Sequence, residues 1–441
     1  MGAHKMNLKV TKFGGSSLAD ANQFKKVKNI IMADEARKFV VPSAPGKRDK
    51  KDVKITDLLY LCQAHVETGI SLDDVFKHVV DRYVGIVNDL GLTFDIQKHL
   101  DIVKKDLENG ASKDYAASRG EYLNGLILAN YLGYEFVDAK EVMIFNEDGS
   151  LDRAETDKAI RNRLKNVERA VIPGFYGANK EGEIVTFSRG GSDVTGALVA
   201  AGVDADLYEN WTDVSGFLMA DPRIVDSPKA IEKITYRELR ELAYMGASVL
   251  HEDAVFPVRQ AGIPINIKNT NKPEDAGTLI VKESEKEDIK TITGVAGKKD
   301  FTVISVEKAM MNSELGFCRK LLGILEMNGI CFENMPCGID TVCVVVSDSD
   351  LKGKRDKVIE EIKRTCDPDN IEIHPNMSLI AVVGKGMASN KGVAARVCGA
   401  LADASVNIRM IDQGSSEINI LIGTENDDFE AAIKAVYNEF N

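Results

Sequence analysis

Histidine is scarce, with 6 in 441 residues, and none of them clusters with another. The cysteines are Cys62, Cys318, Cys331, Cys337, Cys343, Cys366 and Cys398, an odd count with no CxxC pair. That excludes a disulfide framework and argues against a structural zinc site; free thiols in a reducing cytoplasm fit best. No apolar run reaches the ~20 residues of a membrane span, and the N-terminus lacks the apolar core of a signal peptide. A cytoplasmic protein with no membrane partner is expected. Basic residues are outnumbered, 56 against 68 acidic, and the net charge of −12 argues against a nucleic-acid binder while leaving room for local basic pockets for ATP. Neither GxxxxGK[ST] nor GxGxxG occurs, so the P-loop and dinucleotide-binding folds lose support.

What is present begins with two glycine pairs. One is Lys12-Phe13-Gly14-Gly15-Ser16-Ser17; the other is Arg189-Gly190-Gly191-Ser192-Asp193. Each follows strand-like sequence and precedes a helix-like pattern, so its backbone N–H groups are expected at a helix N-terminus, where anions bind. Each carries one cation. Either pair alone reads equally well as a tight turn. Together they point to phosphoryl transfer between a nucleotide and an acidic co-substrate.

A chain of 441 residues is too long for one core and predicts two or three domains. Strands are expected at 7–13, 38–44, 134–138, 170–176, 206–211 and 263–268, and helices at 22–34, 56–68, 71–90, 95–108 and 112–132. That alternation predicts an α/β domain with a mainly parallel sheet between helices, and ligands beyond the carboxyl ends of its strands. Residues 47–54 (KRDKKDVK) read as a solvated, mobile charged loop, and 282–290 (KESEKEDIK) as a linker. Beyond it a βαββα pattern of about seventy residues occurs twice, as two ferredoxin-like α+β units. The second unit ends on a helix and lacks a final strand. The run 291–296 (TITGVA) is a candidate to fill that place.

At this point the chain resembles a known family. KFGGSS at 12–17, SRGEYL at 118–123, FSRGGSD at 187–193, WTDVSG at 211–216, DPR at 221–223 and VLH at 249–251 match the catalytic domain of monofunctional aspartate kinases. VVGKGM at 382–387, GVAARV at 392–397 and NIRMIDQGSSEINI at 407–420 match their second ACT domain. The resemblance implies an amino-acid-kinase catalytic domain over 1–285, a first ACT domain over 298–375, and a second over 376–441 joined by 290–297. It implies transfer of the ATP γ-phosphate to the side-chain carboxylate of L-aspartate, with Mg2+ on the nucleotide. The product, 4-phospho-L-aspartate, opens lysine, threonine and methionine biosynthesis.

The residues carry this chemistry as follows. Phosphoryl transfer needs positioning and charge stabilisation more than covalent help. Lys12 is placed to bridge phosphate oxygens, and the N–H groups of Gly14, Gly15 and Ser16 to cradle the transferring group. Asp193 is expected to orient Lys12, since a carboxylate nucleophile needs no base; a helix cap beside Ser192 stays open for it. Arg189 suits the α-carboxylate of aspartate through its planar fork, and the resemblance implies Glu121 as the ligand of its ammonium. Without the motif, Glu121 would read as a solvated helix residue. The resemblance adds Ser43, Thr56 and Ser192 on the aspartate side. On the ATP side it adds Phe13, Thr212, Asp213, Leu218, Arg223 and Ser248. Leu218 and Ser248 are departures, because many relatives carry tyrosine and lysine there.

The ACT units imply feedback control by a small amino acid, bound where ACT domains of paired subunits meet, in a homodimer or a tetramer. Met311, Gly316, Glu333, Gly338 and Asp340 mark the expected effector region. The two carboxylates suit lysine, with threonine as the alternative. Competing readings are a glutamate 5-kinase or acetylglutamate kinase, which lack tandem ACT domains, and an inactive amino-acid sensor, which the intact Lys12, Arg189, Asp193 and Asp213 oppose.

Overall fold

The computed structural model describes residues 8–188, 190–247, 250, 252–283 and 290–441. The chain divides into two units. The first comprises Met1–Phe217, Ala230–Tyr236 and Val249–Ser284; the second comprises Leu218–Lys229, Arg237–Ser248 and Glu285–Asn441.

In the first unit the strands are β1 (Lys9–Phe13), β2 (Arg37–Pro42), β3 (Glu135–Phe136), β4 (Ala170–Val171), β5 (Tyr176–Ala178), β6 (Ile184–Thr186), β7 (Leu207–Thr212), β8 (Lys233–Thr235), β9 (Ile265–Asn269) and β10 (Thr278–Val281). The helices are α1 (Ala21–Met32), α2 (Ile55–Glu67), α3 (Asp73–Asp89), α4 (Ile96–Glu108), α5 (Lys113–Leu132), α6 (Arg153–Leu164) and α7 (Gly191–Gly202); α8 (Tyr236–Tyr244) starts in this unit, and α9 (Glu252–Ala261) follows. Eight strands form one sheet in the order β3-β4-β2-β1-β7-β9-β10-β8. From β3 to β9 every neighbour is parallel; β10 turns antiparallel against β9, and β8 runs parallel to β10. The mainly parallel α/β sheet expected from the sequence is therefore present. Its central strands are buried from end to end, as a covered parallel sheet requires.

Helix α5 is buried around most of its circumference, which hydrophobic periodicity could not signal. Its glycines explain the fit. A Cβ on Gly120 would lie 2.9 Å from Ala44 Cβ, and one on Gly125 would lie 2.8 Å from Pro173 Cγ. The helix thus runs directly under the loops that leave β2 and β4.

The charged loop at 47–54 is not free. Arg82 of α3 bonds Asp52 Oδ2 at 2.5 Å and the Gly46 carbonyl at 3.0 Å, and Arg48 bonds Asp52 at 2.9 Å. The Arg48 hydrogen bond above all, with the Arg82 charge, holds the Asp52 carboxyl well below the usual range. The charges that suggested a solvated loop tie it to the domain.

The second unit holds β11 (Gly294–Glu307), β12 (Phe332–Asn334), β13 (Thr341–Ser347), β14 (Asn370–Val383), β15 (Met410–Asp412) and β16 (Asn419–Glu425), with α10 (Phe317–Met327), α11 (Asp348–Leu351), α12 (Arg355–Cys366), α13 (Val393–Asp403) and α14 (Phe429–Phe440). All six strands form one antiparallel sheet, β12-β13-β11-β14-β16-β15. The two ferredoxin-like units are continuous at the long central strands. Gly294–Lys298 pair with Val383–Leu379, while Val303–Glu307 pair with His374–Asn370. Among the described residues no helix is long and apolar enough to cross a membrane.

Candidate active site at the carboxyl edge of the parallel sheet

The carboxyl ends of β1, β2, β7 and β9 meet at one edge of the first unit. The loops beyond them are laced by backbone. Gly14 N–H donates to the Trp211 carbonyl at 3.0 Å, Ser43 N–H to Phe13 at 3.0 Å, Gly46 N–H to Gly15 at 2.8 Å, and Thr270 N–H to Thr212 at 2.9 Å. Ser17 and Thr270 share a hydroxyl hydrogen bond of 2.7 Å. A Cβ on Gly46 would lie 2.6 Å from the Gly15 carbonyl carbon, so this crossing of two backbones requires glycine.

The first glycine turn leads into a 3₁₀ turn, Gly15–Leu18, and not directly into a helix; α1 starts at Ala21 under an Asp20 cap. This corrects the expected helix N-terminus. It also removes one of the three expected cradle donors, because Gly14 N–H is spent on Trp211. The N–H groups of Gly15 and Ser16 have no acceptor among the described residues. Phe13 is wholly buried and stacked on Trp211, with ring centroids 5.9 Å apart, so only its backbone can meet a ligand.

The second turn does open a helix. Gly190 is left-handed (φ 56) and caps α7, whose first N–H groups have no partner within the helix. It is held tightly from below. A Cβ on Gly174 would lie 2.6 Å from Ser192 Cβ, and the next residue, Phe175, takes φ 79, an unfavourable conformation for an aromatic residue. Phe175 N–H donates to Thr195 Oγ1 at 3.1 Å, and that hydroxyl donates to the Gly191 carbonyl at 2.9 Å. Arg189 and Ser248 lie outside the described residues.

Lys12 on β1 and Asp193 in the first turn of α7 meet. Lys12 Nζ lies 2.6 Å from Asp193 Oδ1, with both side chains largely buried. Asn210 Nδ2 donates to the same oxygen at 2.7 Å. The pair joins the two glycine turns and places one cation beside the first, where a Cβ on Gly14 would sit 3.5 Å from Lys12 Nζ.

Glu121 projects from α5 toward the loop after β2 and is 6% exposed. It accepts the Ala44 N–H, yet its Oε2 is buried with no partner. Burial pushes its carboxyl up to about 8, against the lowering effect of that N–H and of Arg119. One turn on, Asn124 donates to the Ser43 carbonyl at 2.6 Å, while its own Oδ1 is also buried and unpartnered. Buried polar atoms are almost always bonded, and these two acceptors beside one loop have no partner within the protein. Ser43 is half-buried beside them, and Thr56 is half-buried in the first turn of α2. Thr212 Oγ1 donates to Asp213 at 3.2 Å at the exposed end of β7.

Leu218 and Arg223 belong to the second unit. Leu218 is half-buried; Arg223 is exposed and forked on Asp221 at 2.6 Å. Of the residues chosen for an effector, Met311 is buried in the core with Phe317 and Val342. Gly316 is left-handed (φ 82) and caps α10. Asp340 Oδ1 accepts the Met310 N–H at 2.8 Å, and Gly338 N–H donates to Thr341 at 2.7 Å, closing the loop before β13. Glu333 on β12 accepts the Tyr244 hydroxyl at 2.6 Å. Among the described residues no group of three His, Cys, Asp or Glu side chains is placed to hold a metal ion.

Asn124, Tyr208 and Asn210 were not singled out from the sequence. Each sits within an apolar run whose register decides its neighbours, and register is invisible without the fold.

The model of the amino acid kinase family matches residues 7–269, and that of the ACT domain matches residues 380–440. Aspartokinase 3 of Bacillus subtilis is 40% identical, with 98% of each chain covered. The crystal structure of Clostridium acetobutylicum aspartate kinase, described as an allosteric enzyme, has 62% identity and a TM-score of 0.92, covering 99% of this chain and 100% of that one. E. coli aspartokinase III has been solved with aspartate and ADP in an R-state; it is 25% identical with a TM-score of 0.72, covering 98% and 99%. The same enzyme with lysine and aspartate, in a T-state, gives a TM-score of 0.73 at 25% identity, again covering 98% and 99%. The chain belongs to the amino acid kinase family, among the aspartate kinases that carry ACT domains.

Proposed function

We propose that the chain transfers the γ-phosphate of ATP to the side-chain carboxylate of L-aspartate, giving ADP and 4-phospho-L-aspartate, at the head of lysine, threonine and methionine synthesis. The observation that carries this reading is the Lys12–Asp193 pair of 2.6 Å, which joins two anion-binding turns, together with the unpartnered carboxyl oxygen of Glu121. Lys12 stabilises charge on the transferring group, and the Gly15 and Ser16 N–H groups point donors at it. Asp193 holds Lys12. Glu121 takes the substrate ammonium; Arg189, Ser192, Ser43 and Thr56 complete the aspartate side. Thr212, Asp213, Leu218, Arg223 and Ser248 serve the nucleotide. Mg2+ on the ATP phosphates would neutralise their charge.

The same reading assigns 1–285 to the kinase domain, 298–375 to the first ACT domain, and 376–441 with 290–297 to the second. Lysine binds at the first ACT domain and inhibits, with Glu333 as its carboxylate partner; the lysine-bound E. coli relative supports this choice over threonine. The ACT domains pair two subunits. Seven free thiols suit the cytoplasm.

A coupled assay of ADP release tests the reading. Activity with aspartate, little with glutamate, and a fall in kcat of about 10²–10³-fold in Lys12→Ala with aspartate binding kept are expected. Equal turnover of glutamate, or a Lys12→Ala kcat within about fivefold of wild type, would sink it.

A further inference from the structure

Two side chains of β7 converge on Asp193. We infer that Asn210 is a positioning residue for phosphoryl transfer, whose amide holds the Asp193 carboxylate in place and thereby fixes the Lys12 ammonium beside the Gly14–Gly15 turn. The inference rests on the proposed role of Lys12.

The strands set up the contact. In the parallel pair β1/β7, Lys12 stands opposite Asn210, so both side chains leave the sheet on one face, at a strand spacing of roughly 4.8 Å. Asp193 descends on them from the first turn of α7. Its Oδ1 receives Lys12 Nζ at 2.6 Å and Asn210 Nδ2 at 2.7 Å. Asn210 is 4% exposed, so its donor has little water to choose instead. A carboxylate oxygen that accepts from the buried amide of Asn210 is restrained about its terminal torsion. Lys12, on a flexible four-carbon stem, is then held by a restrained partner.

Two residues earlier on the same face, Tyr208 holds the backbone of the same residue. Its hydroxyl donates to the Asp193 carbonyl at 3.1 Å. The hydroxyl reaches α7 because position 196 is glycine; a Cβ there would lie 2.6 Å from the Tyr208 oxygen. Strand β7 therefore fixes both the main chain and the carboxylate of Asp193.

A neutral donor is the right chemistry. It brings no second charge to compete with Lys12, and it leaves the ammonium as the cation facing the first turn. Transition-state stabilisation demands donors fixed before the reaction, so loss of this hydrogen bond is expected in kcat and not in substrate affinity.

The test is kinetic. Asn210→Leu removes the donor while nearly keeping its volume. We expect kcat to fall about 10–100-fold with the aspartate KM changed by less than about twofold. In an Asp193→Ala background the same substitution should change kcat by less than about twofold, since its target is gone. A role in packing alone would lower the melting temperature alike in both backgrounds and leave the kcat of folded enzyme near wild type; that result overturns the inference. If Asn210→Leu fails to fold, Asn210→Asp carries the test with the same shape. It sets a carboxylate against a carboxylate, and an unchanged kcat there also overturns the inference. A severe Lys12→Ala defect beside near-normal Asn210 variants refutes this step alone; a mild Lys12→Ala defect refutes the reading beneath it.

Discussion

Aspartate binding should depend steeply on pH, and the cause is Glu121. Its carboxyl sits at about 8 because it is buried, with one oxygen unpartnered. At pH 7 the empty site therefore holds a proton about nine times in ten. A substrate ammonium binds the ionised form, so the apparent aspartate KM rises by a factor of 1 + 10^(8 − pH). That is about twofold at pH 8, about elevenfold at pH 7 and about a hundredfold at pH 6. Calorimetry at pH 7 in buffers of different ionisation enthalpy should record release of about 0.9 proton per aspartate.

Stability follows with the opposite consequence. The folded carboxyl is raised above the ordinary 4.5, so the folded state keeps a proton that the unfolded state has lost. Stability is unaffected below about pH 4.5, falls as pH rises, and is fully reduced above about pH 8, by on the order of 5 kcal/mol. Glu121→Gln should therefore melt higher than wild type at pH 8, lose that margin by pH 5, and show a high but pH-independent aspartate KM. A wild-type KM that stays flat between about pH 6 and 8, with no buffer-dependent heat, would refute the reasoning.

Other perturbations test the scaffold and its control. Gly174→Ala drives a Cβ to 2.6 Å from Ser192 Cβ and should cost about 1–3 kcal/mol in stability, with kcat/KM falling at least about tenfold as the α7 turn shifts; denaturant melts and kinetics read both. Arg82→Met leaves Asp52 with Arg48 as its remaining charged partner; a loss of about 1.5–2 kcal/mol and faster tryptic cleavage within 47–54 are expected. Glu333→Gln should weaken lysine binding about 10–150-fold by calorimetry while leaving uninhibited activity intact. Heat with threonine and none with lysine would move the effector role to threonine.

Much of the fold was legible because periodicity tracks burial. The helices at 71–90 and 95–108 and the strands at 7–13 and 206–211 lie within a few residues of the observed elements. The second unit shows where this fails. The run 370–376 is half polar and holds Pro375, so only 378–384 read as a strand. The structure carries β14 through it by a register shift at left-handed Asn376 (φ 61). Likewise 291–296 read as a run apart from the strand that follows, but residues 294–296 open β11, which continues through an irregular step at Asp300 (φ 69). Helix 351–365 is interrupted at left-handed Gly353 (φ 75), which parts α11 from α12.

At the site, the two glycine pairs pointed to Lys12 and Asp193, and the family resemblance alone to Glu121. They could not show that Gly14 N–H is already bonded to Trp211, because that depends on β1 lying beside β7. They could not show Asn210 or Asn124 either, since a polar residue within an apolar run declares no partner until strand register and helix packing supply one.

The central claim is phosphoryl transfer to a carboxylate, and phosphorus NMR of the full chain with ATP, Mg2+ and L-aspartate observes it directly. The account predicts an acyl-phosphate resonance growing with ADP, strongly reduced with Lys12→Ala and with glutamate in place of aspartate; in a parallel reaction hydroxylamine should convert it to aspartate hydroxamate with release of inorganic phosphate. ADP and inorganic phosphate formed with neither an acyl-phosphate resonance nor, in the trapped reaction, a hydroxamate would contradict it.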